Sequence, residues 1–141
     1  MALVLPIPFP IRWFSQINGN TLNQLFGAPQ FSAENGITAT AGGTKAAARL
    51  LKATVNQISV CASASDSVKL PANPQPGNMV FIANDGAQST QIFGSNSDTI
   101  DAVATATGVP LAAASRSFFL CHSVSSAGVA AWVSQAGAKS S

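Results

Sequence analysis

The stretch DSVKLPANPQPGNMVFIANDGAQSTQIFGSNSDTID, running from Asp66 to Asp101, decides the fold class. Ser67-Val68-Lys69-Leu70 alternates polar and apolar side chains and stops at Pro71. Pro74 to Gly77 reads as a turn. Met79-Val80-Phe81-Ile82 is an unbroken apolar run, and Asn84-Asp85-Gly86 after it is a strong turn signal, read here as a hairpin. Gln91-Ile92-Phe93 is a further short run, closed by Gly94. Short period-2 segments with turns this close together predict an all-β protein, a sandwich or a small barrel.

The same grammar extends in both directions. Val55, Ile58 and Val60 mark a strand through Cys61, and Ala62 to Asp66 is a loop of small residues. Downstream, Ser117-Phe118-Phe119-Leu120-Cys121 reads as a strand, Ser123 to Gly128 as a turn, and Val129 to Val133 as the last strand. The count is about eight strands after residue 36, which suits a β-sandwich/jelly-roll-like domain over residues 37–134. One segment is ambiguous. Lys45-Ala46-Ala47-Ala48-Arg49-Leu50-Leu51-Lys52 has helical propensity, but a helix of two turns is marginal in isolation. Flanking strands favour β-structure there. Residues 135–141 are small and polar and read as a frayed tail.

Residues 1–36 differ from the rest. Pro6, Pro8 and Pro10 exclude a helix or a central strand and favour an extended path. Yet Leu3, Leu5, Ile7, Phe9, Ile11, Trp13 and Phe14 are too apolar for a solvated tail. The segment reads as an arm that lies against its own domain, a sister subunit or another protein, and Glu34-Asn35-Gly36 at its end reads as the turn into Ile37-Thr38-Ala39-Thr40. Fully extended it could span on the order of 100 Å at ~3.3 Å per residue. It lacks the basic start of a signal peptide, and its prolines break any apolar helix. No run reaches the ~18–20 apolar residues of a membrane-crossing helix.

Composition sharpens the picture. Hydrophobic residues make up 47% of the 141, enough for a core, but charged residues only 9%. An average soluble domain carries about 25%. A surface so poor in charge is expected to be covered in an oligomer or a lattice. The net charge is +2. The only basic grouping, Lys45, Arg49 and Lys52, is too sparse to track a phosphate backbone, so no nucleic-acid partner is expected. Cys61 and Cys121 have no CxxC partner and sit in strand runs, so they read as buried, reduced thiols.

Chemistry is hard to find. His122 follows Cys121 directly, and adjacent strand residues point to opposite faces, which argues against a Cys/His dyad. Asp98 and Asp101, with Asn96 and Ser97, are the densest oxygen cluster. They lack the ligand spacing of a calcium loop and read as turn residues bonding their own backbone. Gly42-Gly43-Thr44-Lys45 fails the phosphate-loop pattern, and no GxSxG elbow occurs. No catalytic residue, cofactor or metal site is expected. Trp13 and Trp132 are the residue type that stacks on sugars; Trp132 reads better as core, and for Trp13, beside Phe14 and after the proline run, both readings stay open.

Gly36-Ile37-Thr38-Ala39, Asp66 to Pro71, Val80 to Ala87, Asp98-Thr99-Ile100-Asp101, and Phe118, Phe119 and Trp132 at the end together resemble the small β-structured virion proteins of tailed bacteriophages, the head decoration (cement) proteins in particular. The likeness covers about two thirds of the chain and rests on turn and strand punctuation. It implies a homotrimer on the outer surface of a virion, made in the host cytoplasm, whose partner is the major capsid protein. The residues assigned to partner binding are Leu5, Ile7, Phe9, Ile11, Trp13 and Phe14, as anchors and not catalysts. Two other readings stand beside it: a tail or head-fibre base module, and a carbohydrate-binding adhesion module.

Overall fold

The chain divides into two units, Met1–Gln30 and Phe31–Ser141. The computed structural model describes residues 31–136, within the second unit. These residues form ten strands and no helix: β1 Ala33–Thr38, β2 Arg49–Leu50, β3 Val55–Val60, β4 Ser67–Lys69, β5 Met79–Asn84, β6 Thr90–Phe93, β7 Thr99–Ile100, β8 Val109–Leu111, β9 Ser115–Val124 and β10 Ala130–Ala136. They make two sheets, one of six strands in the order β1-β3-β5-β9-β10-β7 and one of four in the order β2-β4-β6-β8.

The connectivity follows from the loops. Each of the first six strands lies in the sheet opposite its predecessor. A chain that crosses over and returns re-enters the first sheet in its original direction. Accordingly β1 pairs parallel with β3, β3 with β5, β2 with β4, and β4 with β6. The first half is therefore a flattened coil of three turns. The remaining strands close it: β8 pairs antiparallel with β6, β9 with β5, and β10 with β9 through the Ser125–Gly128 turn. The two-sheet, all-β expectation holds, while the parallel half departs from the antiparallel ladders of a jelly roll.

The core fills the space between the sheets. Ile37, Ile58, Val80, Ile82, Phe119, Cys121 and Trp132 point inward from the large sheet, and Val68, Ile92 and Leu111 meet them from the small one. Trp132 is 1% exposed, so its assignment to the core is correct. Along β5 the burial alternates strictly: Val80, Ile82 and Asn84 are buried, and Met79 and Phe81 are exposed.

Asn84-Asp85-Gly86 does not close a hairpin. β6 never pairs with β5, and the turn instead carries the chain round the corner to the other sheet. Asn84, fully buried, holds that corner. Its Nδ2 donates to the carbonyls of Gln88 at 2.9 Å, Leu111 at 3.0 Å and Ala112 at 3.2 Å, and its Oδ1 accepts from Gly86 N at 3.1 Å. The corner rests on the preceding turn of the coil, where a Cβ added to Gly86 would lie 2.6 Å from Cys61 Cβ. Backbone bonds link successive corners, Gln88 N to Cys61 O at 3.1 Å and Gln91 N to Asp66 O at 2.8 Å.

Three boundaries differ from expectation. β1 begins at Ala33, so Glu34-Asn35-Gly36, expected as a turn inside the arm, lies within a strand. The register shifts between Glu34 and Ile37, and Gly36 adopts a φ of 72°, which places a bulge where the polar residues fall. Such a bulge suits an edge strand, whose outer backbone groups would otherwise invite further pairing. Lys45 to Ala47 form a turn, with Ala48 N donating to Thr44 O at 3.0 Å, and only Arg49–Leu50 become a strand, beside β4. Gln135 and Ala136 belong to β10, not to a tail.

Candidate interaction surface

The inner face of the six-stranded sheet is the core, so its outer face is expected to be polar. Its centre is not. In register across the strands run Val55 of β3, Phe81 of β5, Phe118 of β9 and Gln135 of β10. The next row along the strands is Met79, Leu120 and Val133. The row on the other side is Gln57, Ala83 and Arg116. Val55, Met79, Phe81 and Val133 are each 36–39% exposed, and Phe118 and Leu120 are half-buried.

The aromatic residues form a short ladder. The rings of Phe81 and Phe118 lie 4.9 Å apart at 46°, and Phe31 extends the series with its ring 6.5 Å from Phe81. Tilted ring pairs at this spacing are mutually favourable. Phe31 itself is 46% exposed. Val55, Met79, Phe81 and Phe118 line a shallow groove of about 750 Å³, bordered by Gln57, Arg116 and Gln135.

The polar border is internally satisfied. Asp85 accepts from Arg116 at 3.0 Å through one carboxylate oxygen and from Gln57 Nε2 at 2.8 Å through the other. The ion pair is exposed to solvent and contributes little stability. Its consequence is that the border carries no unpaired charge.

The residues weighed for chemistry are spread out and engaged in structure. Asp98 is buried, and its Oδ1 accepts from Ala130 N at 2.8 Å. Asp101 accepts from Ser134 N at 2.8 Å and from the Ser134 hydroxyl at 2.5 Å. Asn96 and Asp101 have φ of 44° and 50°, as turn residues do. His122 is exposed while Cys121 is buried, so the two face opposite ways. Among the described residues no group of three or more His, Cys, Asp or Glu could hold a metal ion. Arg49 pairs with Glu34 at 2.7 Å, and Lys45 Nζ donates to the Asn96 carbonyl, so two of the three grouped cations are engaged locally. Burial lowers the Lys45 ammonium below its ordinary pKa, against the opposing pull of Asp98.

Both cysteines are free and buried. Burial pushes the Cys61 thiol up, and the nearby Asp66 carboxylate adds to the effect. Cys121 is pushed up by burial and then by Asp98. A thiol held protonated is a poor nucleophile.

Leu5, Ile7, Phe9, Ile11, Trp13 and Phe14, the residues expected to bind a partner, lie outside the described residues. The sheet face was missed by the sequence reading, although a signal for it existed. Met79-Val80-Phe81-Ile82 and Phe118-Phe119-Leu120 are continuous apolar runs, and in a strand half of such a run must point away from the core.

No protein-family model, curated protein or solved structure matches this chain.

Proposed function

We propose that the chain is a structural virion protein of the head-decoration type, which binds the outside of a bacteriophage capsid as a homotrimer and stabilises the shell by bridging capsid subunits. The observation that carries this reading is the apolar centre of the outer sheet face, on a scaffold whose acids are engaged in backbone bonds or local side-chain pairs and whose thiols are buried. Such a molecule is built to be covered. The Pro-rich segment, with Leu5, Ile7, Phe9, Ile11, Trp13 and Phe14, is the capsid anchor in this proposal. Three copies per trimer make the attachment multivalent, so modest single contacts add up to firm binding.

The test is particle binding. The purified protein is mixed with capsids lacking it and sedimented, and it should travel with them. Deleting residues 2–14 should leave a cooperative unfolding transition and weaken particle binding. A full chain that stays in the supernatant refutes the reading, and binding to isolated tails alone favours the fibre-base alternative. The exposed Phe31 and Phe81, with the half-buried Phe118 beside them, also suit stacking on sugars. Retention on a glycan array abolished by Phe81→Ala would support the adhesion reading.

A further inference from the structure

We infer that the outer face of the six-stranded sheet is the surface through which copies of this chain assemble with one another. The inference deepens the structural reading above and rests on it only for the use the assembly serves.

Size is the first argument. Free aromatic side chains present ~150–250 Å² each. At the exposures given above, Phe31, Val55, Met79, Phe81, Phe118, Leu120 and Val133 leave an apolar patch on the order of 400 Å². A stable interface buries about 800 Å² per partner, with an apolar centre and a polar rim. The patch supplies such a centre, and Gln57, Gln135 and Arg116 border it, with Asp85 bonded to Gln57 and Arg116. The groove of about 750 Å³ gives the partner's side chains a place to enter.

Charge selects the occupant. Arg116 and Asp85 neutralise each other, and Gln57 occupies the second oxygen of Asp85. The face therefore asks for no complementary charge. An average protein surface, rich in ions, would set unpaired charges against Phe81 and Phe118 and strip their water, which is costly. This chain has 7 basic and 5 acidic residues in 141, so its own surface rarely imposes that cost. A second copy is the partner whose chemistry the face matches.

The test uses the full chain without particles. Sedimentation equilibrium at micromolar concentration should give a mass of more than one copy. Phe81→Arg and Met79→Lys, both lining the groove, should each weaken association about tenfold or more, as charges in an interface centre do. Val60→Lys is the control. Val60 is 47% exposed but does not line the groove, so its charge should leave association unchanged. Thermal unfolding followed by circular dichroism establishes that each variant is folded. A monomeric wild type, face variants that associate as the wild type does, or a Val60→Lys effect of equal size would each overturn the inference. Unfolding of both face variants would also overturn it, because the face would then belong to the chain's own core. An oligomer broken by these substitutions that never joins a particle would remove the virion reading and leave this one. A monomer that binds particles would do the reverse.

Discussion

Replacing Gly86 with alanine adds one methyl group at the corner between β5 and β6, where two turns of the coil touch. The new Cβ would stand 2.6 Å from both Cys61 Cβ and Cys61 N. Carbon atoms rest about 3.5–4.0 Å apart, so the two corners must separate by roughly 1 Å. Two bonds resist this: Asp85 N to Ile58 O at 2.8 Å and Gln88 N to Cys61 O at 3.1 Å. Overpacking of this kind costs about 1–3 kcal/mol. A weakened buried hydrogen bond adds about 1 kcal/mol. Alanine also restricts the unfolded chain, which returns ~0.4–1 kcal/mol. The expected net loss is about 2 kcal/mol. Urea unfolding measures it: with a slope of about 1–3 kcal/mol/M, the midpoint should fall by ~1 M at an unchanged slope. Cys61→Ala in the same chain should bring no rescue, because the obstructing atoms are Cβ and the backbone nitrogen, not sulfur. A Gly86→Ala protein as stable as the wild type, or one restored by Cys61→Ala, would refute the close packing of the corners.

Two further outcomes follow from the interior. Asn84→Ala strands the carbonyls of Gln88, Leu111 and Ala112 and the Gly86 amide, and should cost about 3 kcal/mol in the same urea assay. The thiols should show in the pH dependence. Both folded-state pKa values lie above the ordinary 9.0, so the folded state favours the protonated form. That stabilisation is complete below the unfolded pKa and is lost as pH rises through the folded value. Stability should therefore decline above pH ~9, and the decline should be smaller in a Cys61→Ala, Cys121→Ala protein. Thiol alkylation at neutral pH should stay slow until the protein unfolds.

The strands were legible in the sequence, and their partners were not. Alternation in Ser67 to Leu70 and the apolar run from Met79 to Ile82 announce extended chain wherever that chain goes. Asn84-Asp85-Gly86 announces a reversal but does not say into which sheet. The distinction lies in Asn84, which a hairpin would not need to bury, and in Gly86, whose missing Cβ makes room for a residue 25 positions earlier. Neither requirement is visible without the neighbouring turn. Glu34-Asn35-Gly36 misled for a related reason. Turn-forming residues at a sheet edge can be absorbed as a bulge, and the local sequence is the same either way. The candidate surface was half legible: two continuous apolar runs implied an outward apolar stripe, but the alignment of Phe81 with Phe118 and Val55 depends on register.

The strand order carries a consequence for synthesis. β9 lies between β5 and β10 in the large sheet, yet it is made only after β1 to β8. A ribosome that has released residues 31–100 has produced the coil with β5 as an unpaired edge, its backbone groups open and Phe81 on one side. Until Ser115–Val124 emerges, that edge is a template for any strand nearby. Synthesis of β9 is thus what covers the β5 edge. A stop before Ser115 would yield a species prone to aggregate, not a smaller working domain, because wherever identical chains are made together the wrong partner for β5 is close at hand.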